Sequence, residues 1–291
     1  MTTANMGGTF SIGGDLPVNR MGFGAMQLTG PGVWGPSADP AGARAVLRRA
    51  VELGINFIDT ADVYGPRDNE RLIREALYPY PAGLVIATKA GLVRSGPSTR
   101  ENTGISMNGT PAHIRHAVEG SLRELGVERI DLYQLHRVDP ATPIEETLGV
   151  FRALRDEGKI RHVGLSEVGV AQIERARAVV EIASVQNVHN LAMRRHDPVL
   201  AYCEANAIAF IPFWPLHIEA LAGSDVLART GAETGATPNQ VALAWLLKVS
   251  PVTVLIPGTS SVGHLEENVA ACAVELSADQ MAALNQLGRA A

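Results

Sequence analysis

Short apolar runs alternate along this chain with stretches of helical periodicity. The runs fall at 21–23, 55–58, 84–88, 129–135, 160–165, 183–188, 207–212 and 252–256, and they read as buried strands. Between them, apolar positions recurring about every 3.6 residues predict helices over 41–53, 69–77, 111–125, 143–157, 170–180, 198–206 and 238–248. The start of the chain reads as loosely structured, and 91–109 as a long loop of small and polar residues, a candidate flexible cover. Eight strand candidates alternating with helices argue for parallel pairing through right-handed crossovers.

The helix starts support this parsing. Thr110-Pro111, Thr142-Pro143-Ile144-Glu145 and Thr237-Pro238-Asn239-Gln240 each set a hydroxyl before a proline, whose missing N–H costs nothing in the first turn. Glu145 and Gln240 stand three residues after the hydroxyl, as a capping box requires, and Ser277-Ala278-Asp279-Gln280 opens a C-terminal helix in the same way. An open doubly wound sheet fits less well, because Gly22-Phe23-Gly24 lacks the third glycine of a dinucleotide fingerprint and no amphipathic helix follows it directly. The expectation is an α/β fold, a (β/α)8 TIM barrel formed as one domain over 1–291, with active-site loops near 26–38, 91–109 and 213–224.

Composition narrows the class. The chain has 291 residues, 46% of them hydrophobic, and a net charge of −5 with no run of five basic residues, so general attraction to nucleic acid or an anionic membrane is not expected. No apolar stretch reaches the roughly 18 residues of a membrane span, and the polar N-terminus lacks a secretory pattern. Cys203 and Cys272 are the only cysteines and have no metal-ligand spacing. A cytoplasmic protein, monomeric or weakly self-associating, is the expectation.

On a barrel, chemistry collects where strands end. Those ends supply Asp59, Tyr64, Lys89, His136, Ser166, Glu167, Gln186, Asn187 and the pair Phe213-Trp214. An ionised Asp59 would keep Lys89 charged; Lys89 near Tyr64 would favour the phenolate, lower its pKa and make it a usable proton donor to a carbonyl oxygen, which His136 would orient. No Gly-x-Ser-x-Gly elbow offers an acyl-transfer nucleophile. Two other classes stay open: a hydrolytic metal site on Asp59, His136 and Glu167, and a noncatalytic binding barrel.

The segments I-D-T-A-D-V-Y, V-I-A-T-K and D-L-Y-Q-L-H carry Asp59, Tyr64, Lys89 and His136 in the order of a catalytic tetrad, and with them the chain resembles the aldo-keto reductases over nearly its full length. The resemblance implies reduction of an aldehyde or ketone by NADPH, with NADH as an alternative, Tyr64 as general acid, and no metal. It implies nicotinamide contacts from Ser166, Glu167, Gln186 and the ring of Phe213, with Gly24, Ala25, Trp214, Pro215 and Leu216 around them. Glu167 stands where relatives usually have asparagine. The segment I-P-G-T-S-S-V-G-H-L-E-E-N resembles the family's adenosine-side loop and short helix, which assigns Ile256, Gly258, Thr259, Ser260, Ser261, His264, Glu267 and Asn268 to the cofactor. Gly258 and His264 fall where many NADPH-dependent relatives have lysine and arginine. G-F-G-A-M-Q-L-T-G-P-G-V-W-G-P, R-E-A-L-Y-P-Y and F-W-P-L resemble a bacterial branch that includes pyridoxal reductases. A substrate pocket of Met26, Trp34, Tyr64, His136 and Trp214, sized for a compact aromatic aldehyde, is the expectation.

Overall fold

The computed structural model describes residues 3–221 and 223–288; the remaining positions of the expected 1–291 unit, including position 222 of the 213–224 loop, lie outside the described residues. Its centre is a curled parallel sheet. In chain order the elements are β1 Thr9–Ile12, β2 Leu16–Asn19, β3 Phe23–Gly24, α1 Pro40–Glu52, β4 Phe57–Asp59, α2 Asp68–Leu77, β5 Val85–Ala90, β6 Leu92–Arg94, β7 Ile105–Met107, α3 Pro111–Leu125 and β8 Ile130–Leu135. There follow α4 Ile144–Asp156, β9 Ile160–Ser166, α5 Val170–Arg177, β10 Ser184–Val188, α6 Asp197–Ala205, β11 Ala209–Phe213, α7 Asp225–Thr234, α8 Pro238–Val249, α9 Val262–Ala270 and α10 Ala278–Leu284. The sheet runs β11-β10-β9-β8-β5-β4-β3, with every pair parallel.

The expected eighth strand, 252–256, is present as two isolated bridges, Met21 with Leu255 and Phe210 with Thr253. Backbone bonds from Leu255 N to Arg20 O (2.7 Å) and from Val254 N to Phe210 O (2.9 Å) join it to both sheet edges. The result is a distorted (β/α)8-like barrel. Arg20 holds this seam from the outside: its Nη2 donates to Leu247 O and Ser250 O at 2.6 Å each, and its Nε to Thr253 O at 2.9 Å.

Strand alternation divides the apolar residues into an interior and an outer layer. Phe57, Val85, Ala87, Leu132, Ala209, Ile211, Val254 and Ile256 form one buried cluster inside the barrel, while Ile58 and Ile86 pack with the helices. β1 and β2, an antiparallel hairpin where the sequence predicted a loose start, add Ile12, Leu16 and Val18 to the interior. Gly13 and Gly14 turn that hairpin at φ 61° and 82°, conformations that cost glycine little.

The loop at 91–109 also has more order than its composition suggested, since β6 and β7 pair antiparallel within it. Thr110, Thr237 and Ser277 cap their helices as expected. Thr142 does not, because its hydroxyl donates to Asp139 Oδ2 at 3.1 Å and α4 starts one residue later, after Pro143. Among the described residues no helix is long and apolar enough to cross a membrane.

Removing the Arg20 guanidinium would take a donor from three carbonyls at the seam, of which Ser250 O keeps a longer bond from Thr253 N at 3.4 Å. Arg20→Met is expected to cost on the order of 2–4 kcal/mol of stability, read as a fall in the denaturation midpoint with an unchanged m-value.

Candidate active site

The period of two along the strands that fills the barrel interior also builds its mouth. Phe57 and Asp59 lie on the inward face of β4, Val85, Ala87 and Lys89 on that of β5, Leu132 and Gln134 on that of β8 with His136 just beyond it, and Gln186 on that of β10. Register sets their heights: Asp59 pairs with Ala87, Lys89 with Gln134, and Gln186 with Ser166. Gly164 makes room, because a Cβ there would lie 2.8 Å from Gln134 Cγ and closer still to Ser184 Oγ.

At the floor Lys89, 0% exposed, bonds Asp59, 3% exposed, with Nζ to Oδ2 at 2.5 Å and Nζ to Thr60 O at 2.8 Å. The other carboxylate oxygen accepts from Gln186 Nε2 at 2.8 Å and from Gln134 Nε2 at 3.2 Å. Burial works against the Lys89 ammonium, but Asp59 and Tyr64 more than offset it and leave its pKa raised. Lys89 Nζ lies 5.2 Å from the centre of the Tyr64 ring, and that ring meets His136 edge-on at 5.9 Å.

Tyr64 corrects one expectation. Lys89 does pull its pKa down, but burial pushes harder and the phenol ends above its ordinary value, so it holds its proton throughout the neutral range. Burial, with Lys89, Arg137 and Arg94 nearby, pushes His136 well below its ordinary value and leaves a neutral imidazole.

Above these groups opens a cavity of about 580 Å³. Of the predicted residues, Asp59, Tyr64, His136, Ser166, Gln186 and Phe213 line it, and Met26, Trp214, Pro215 and Leu216 join from the loops. Gly24, Ile256 and Gly258 form its wall at the seam, where the backbones press together: a Cβ on Gly258 would lie 2.7 Å from Gly24 O, and one on Gly24 2.6 Å from Ile256 O.

Other predicted residues stand elsewhere. Glu167 is turned out of the cavity: at φ 54° its side chain reaches Val188 N through Oε1 and Arg195 Nη2 through Oε2, both at 2.7 Å. Burial opposes its charge, but the contacts with His196 and the Val188 N–H, together with nearby Arg137, hold its pKa down to about 2. Asp59, His136 and Glu167 therefore do not converge, and the metal-site alternative loses its ligand set. Asn187, on the outward face of β10, bonds both polar groups of the Val168 backbone.

Trp34 is 38% exposed and its neighbour Val33 occupies the cavity wall instead. Ala25 is buried outside the lining. Thr259, Ser260, Ser261 and His264 lie beyond the cavity at the head of α9, where Ser261 Oγ accepts from His264 N at 3.4 Å. Glu267 faces α8, accepting from Thr237 Oγ1 at 2.7 Å, and Asn268 is buried.

Several residues of the site were not among those expected from the sequence. Gln134 stands two positions before His136, so strand alternation pointed to it. Arg137, Val63, Leu92 and Ile105 carried no such signal, as only the packing of loops brings them to the mouth. His217 is half exposed, lines the rim and lies 3.2 Å from Glu219.

A buried lysine–aspartate pair beneath a protonated tyrosine and a neutral histidine, at the C-terminal mouth of a barrel, defines a class of oxidoreductase. Residues 20–289 match the aldo/keto reductase family model, and the chain belongs to that family. It is 48% identical over 287 residues to an uncharacterized oxidoreductase of Schizosaccharomyces pombe, covering 98% of this chain and 92% of that protein. It is 43% identical over 287 residues to pyridoxine 4-dehydrogenase of Escherichia coli, covering 97% and 98%. Among solved structures it superposes on an aldo-keto reductase from Klebsiella pneumoniae in complex with NADPH, with a TM-score of 0.78, 25% identity and coverage of 98% and 95%.

The contact between Gly24 and Gly258 has a measurable consequence. A lysine at 258 would force its Cβ against backbone that cannot rotate away, so Gly258→Lys is expected to lose about 1–3 kcal/mol of stability in thermal denaturation.

Proposed function

We propose that this protein reduces small aldehydes and ketones to alcohols with NADPH, that Tyr64 is the proton donor, and that pyridoxal is among its substrates. The observation that carries the reading is the Lys89–Asp59 pair, buried beneath a tyrosine that opens into the cavity beside His136. The likeness to pyridoxine 4-dehydrogenase over nearly all of both chains supports the choice of a compact aromatic aldehyde, as do the apolar walls contributed by Met26, Val63 and Trp214.

The donor set fits a nicotinamide dinucleotide. Ser166 and Gln186 offer polar groups beside the Phe213 ring, suited to a carboxamide on a flat heterocycle. Thr259, Ser260 and Ser261 lead into nine-residue α9, whose first N–H groups suit the phosphates of such a dinucleotide. Its reduced ring, when bound, supplies the hydride.

The rest of the step falls to the chain. Tyr64 donates its proton to the oxygen that gains charge as the carbonyl is reduced. Charged Lys89 stabilises the tyrosinate left behind, and Asp59 keeps that charge fixed in place without itself touching the substrate. Gln134 and Gln186 hold Asp59 from the far side. The neutral His136 imidazole can donate one N–H to the carbonyl oxygen without bringing a second positive charge next to Lys89.

Two measurements test this reading. Tyr64→Phe is expected to lower turnover of pyridoxal or benzaldehyde by roughly 10²–10⁴-fold while leaving the NADPH Kd within a few-fold; unchanged turnover would show that another group donates the proton. The pH profile of kcat/KM should stay flat through the ordinary histidine range near about 6.5, because His136 is already neutral there. It should fall only above the ordinary phenol value of about 10, as rising pH removes the Tyr64 proton through its raised pKa. A basic limb below pH 8 would contradict that assignment.

A further inference from the structure

Two guanidinium groups stand in the cavity wall without a carboxylate. Arg137 Nη1 donates to His136 O at 2.6 Å and to Ser166 Oγ at 2.9 Å, and its guanidinium lies 5.6 Å from the centre of the Phe213 ring. Arg94 donates through Nε to Val63 O at 3.1 Å, and through Nη1 to Gly32 O at 3.1 Å and Ser98 Oγ at 2.7 Å. All of these acceptors are neutral, and neither arginine joins a salt bridge among the described residues. Arg137 follows His136 directly, so its charge stands close to the reaction centre.

The other ionisable groups of the wall do not cancel these charges. Asp59 is committed to Lys89, and His136 is neutral. Glu167, outside the wall, is near enough for its charge to attract Arg137, but it makes no ion pair with it and gives its oxygens to Val188 N and Arg195. Glu219 lies at the rim, largely exposed and beside His217. The cavity is thus apolar over much of its wall, with two cations gathered around Tyr64 and His136. A partly dehydrated guanidinium held only by neutral acceptors gains from an anion that water supplies poorly in an apolar cleft.

The dinucleotide phosphates are not that anion. In the curled sheet, β8, which leads into Arg137, is four steps from the closing segment 252–256 whichever way the order is followed. The loop that leads to α9 continues from that segment, so the suggested phosphate site and Arg137 stand on opposite sides of the mouth.

We infer that Arg137, with Arg94, selects carbonyl substrates that carry an anionic substituent such as a carboxylate, phosphate or ionised ring hydroxyl, holding that group while the carbonyl meets Tyr64 and His136. The inference rests on the reductase reading and adds a charge preference to it. Arg137, which lines the cavity directly after His136, is the principal contact; Arg94 adds charge while tying together the backbones at 32 and 63.

The test uses the intact enzyme with NADPH and three aldehydes of matched shape: 4-carboxybenzaldehyde, benzaldehyde and a 4-trimethylammonio-benzaldehyde. The expected kcat/KM order is anionic, neutral, cationic. Arg137→Met should lower the anionic-to-neutral ratio by about tenfold or more, Arg137→Lys by less, and Arg94→Met by a smaller factor. Benzoate should also inhibit the unaltered enzyme competitively against benzaldehyde, and more tightly than benzamide does, a measurement that needs no variant. Turnover of benzaldehyde without a charge preference, or equal inhibition by benzoate and benzamide, would overturn this inference and leave the reductase reading standing. A charge preference that survives both methionine variants would overturn the assignment to these arginines. Absence of turnover with every aldehyde and with pyridoxal would overturn both readings.

Discussion

The buried pairing of Lys89 with Asp59 is the constraint around which the rest of the mouth is arranged. An ammonium and a carboxylate taken fully out of water cost several kcal/mol each, and the loss is recovered only where geometry is close and the remaining polar groups are satisfied. Here both conditions hold: the lysine reaches Asp59 and Thr60 O, while Gln134 and Gln186 take up the second carboxylate oxygen. Four strands must keep their register for these groups to meet. A shift of one residue in any of them would turn its polar side chain outward into the helix layer and leave charge uncompensated inside.

The same pair sets the electrostatics above it. With its charge anchored, Lys89 stays protonated under Tyr64, yet burial outweighs its pull and the phenol remains a phenol. Sequence points to the right partners and the wrong net direction, because the nearest charge follows from neighbouring strand ends whereas the depth of burial does not. His136 shows the same competition with the opposite chemistry: burial and neighbouring cations both favour its neutral form.

What was legible in advance follows from local rules. Strand alternation gave the inward positions of Asp59, Lys89, Gln134 and Gln186 a single logic, and the capping residues placed α3, α8 and α10 within a residue of their starts. Loops were less legible, since their shape depends on contacts distant in sequence. Gly13-Gly14 hid a hairpin that seals the barrel floor, and β6 with β7 gave order to a segment whose glycines suggested none. Thr142 looked like a helix cap by spacing and was instead drawn to Asp139. Glu167 and Trp34 were expected at the site; a left-handed backbone with two waiting donors turned the first away, and Val33 took the place of the second.

By itself the sequence determined the alternation of strands and helices, the (β/α)8-like architecture and the identity of the four residues gathered at its mouth, because these depend on period, propensity and order along the chain. Tertiary structure decided how deeply Tyr64 and His136 are buried, which loops form the wall, that Gly24 and Gly258 press backbone to backbone, and that Arg137 faces the cavity while Glu167 does not. Those properties arise from distance and desolvation between segments far apart in the chain, and no local pattern encodes either one.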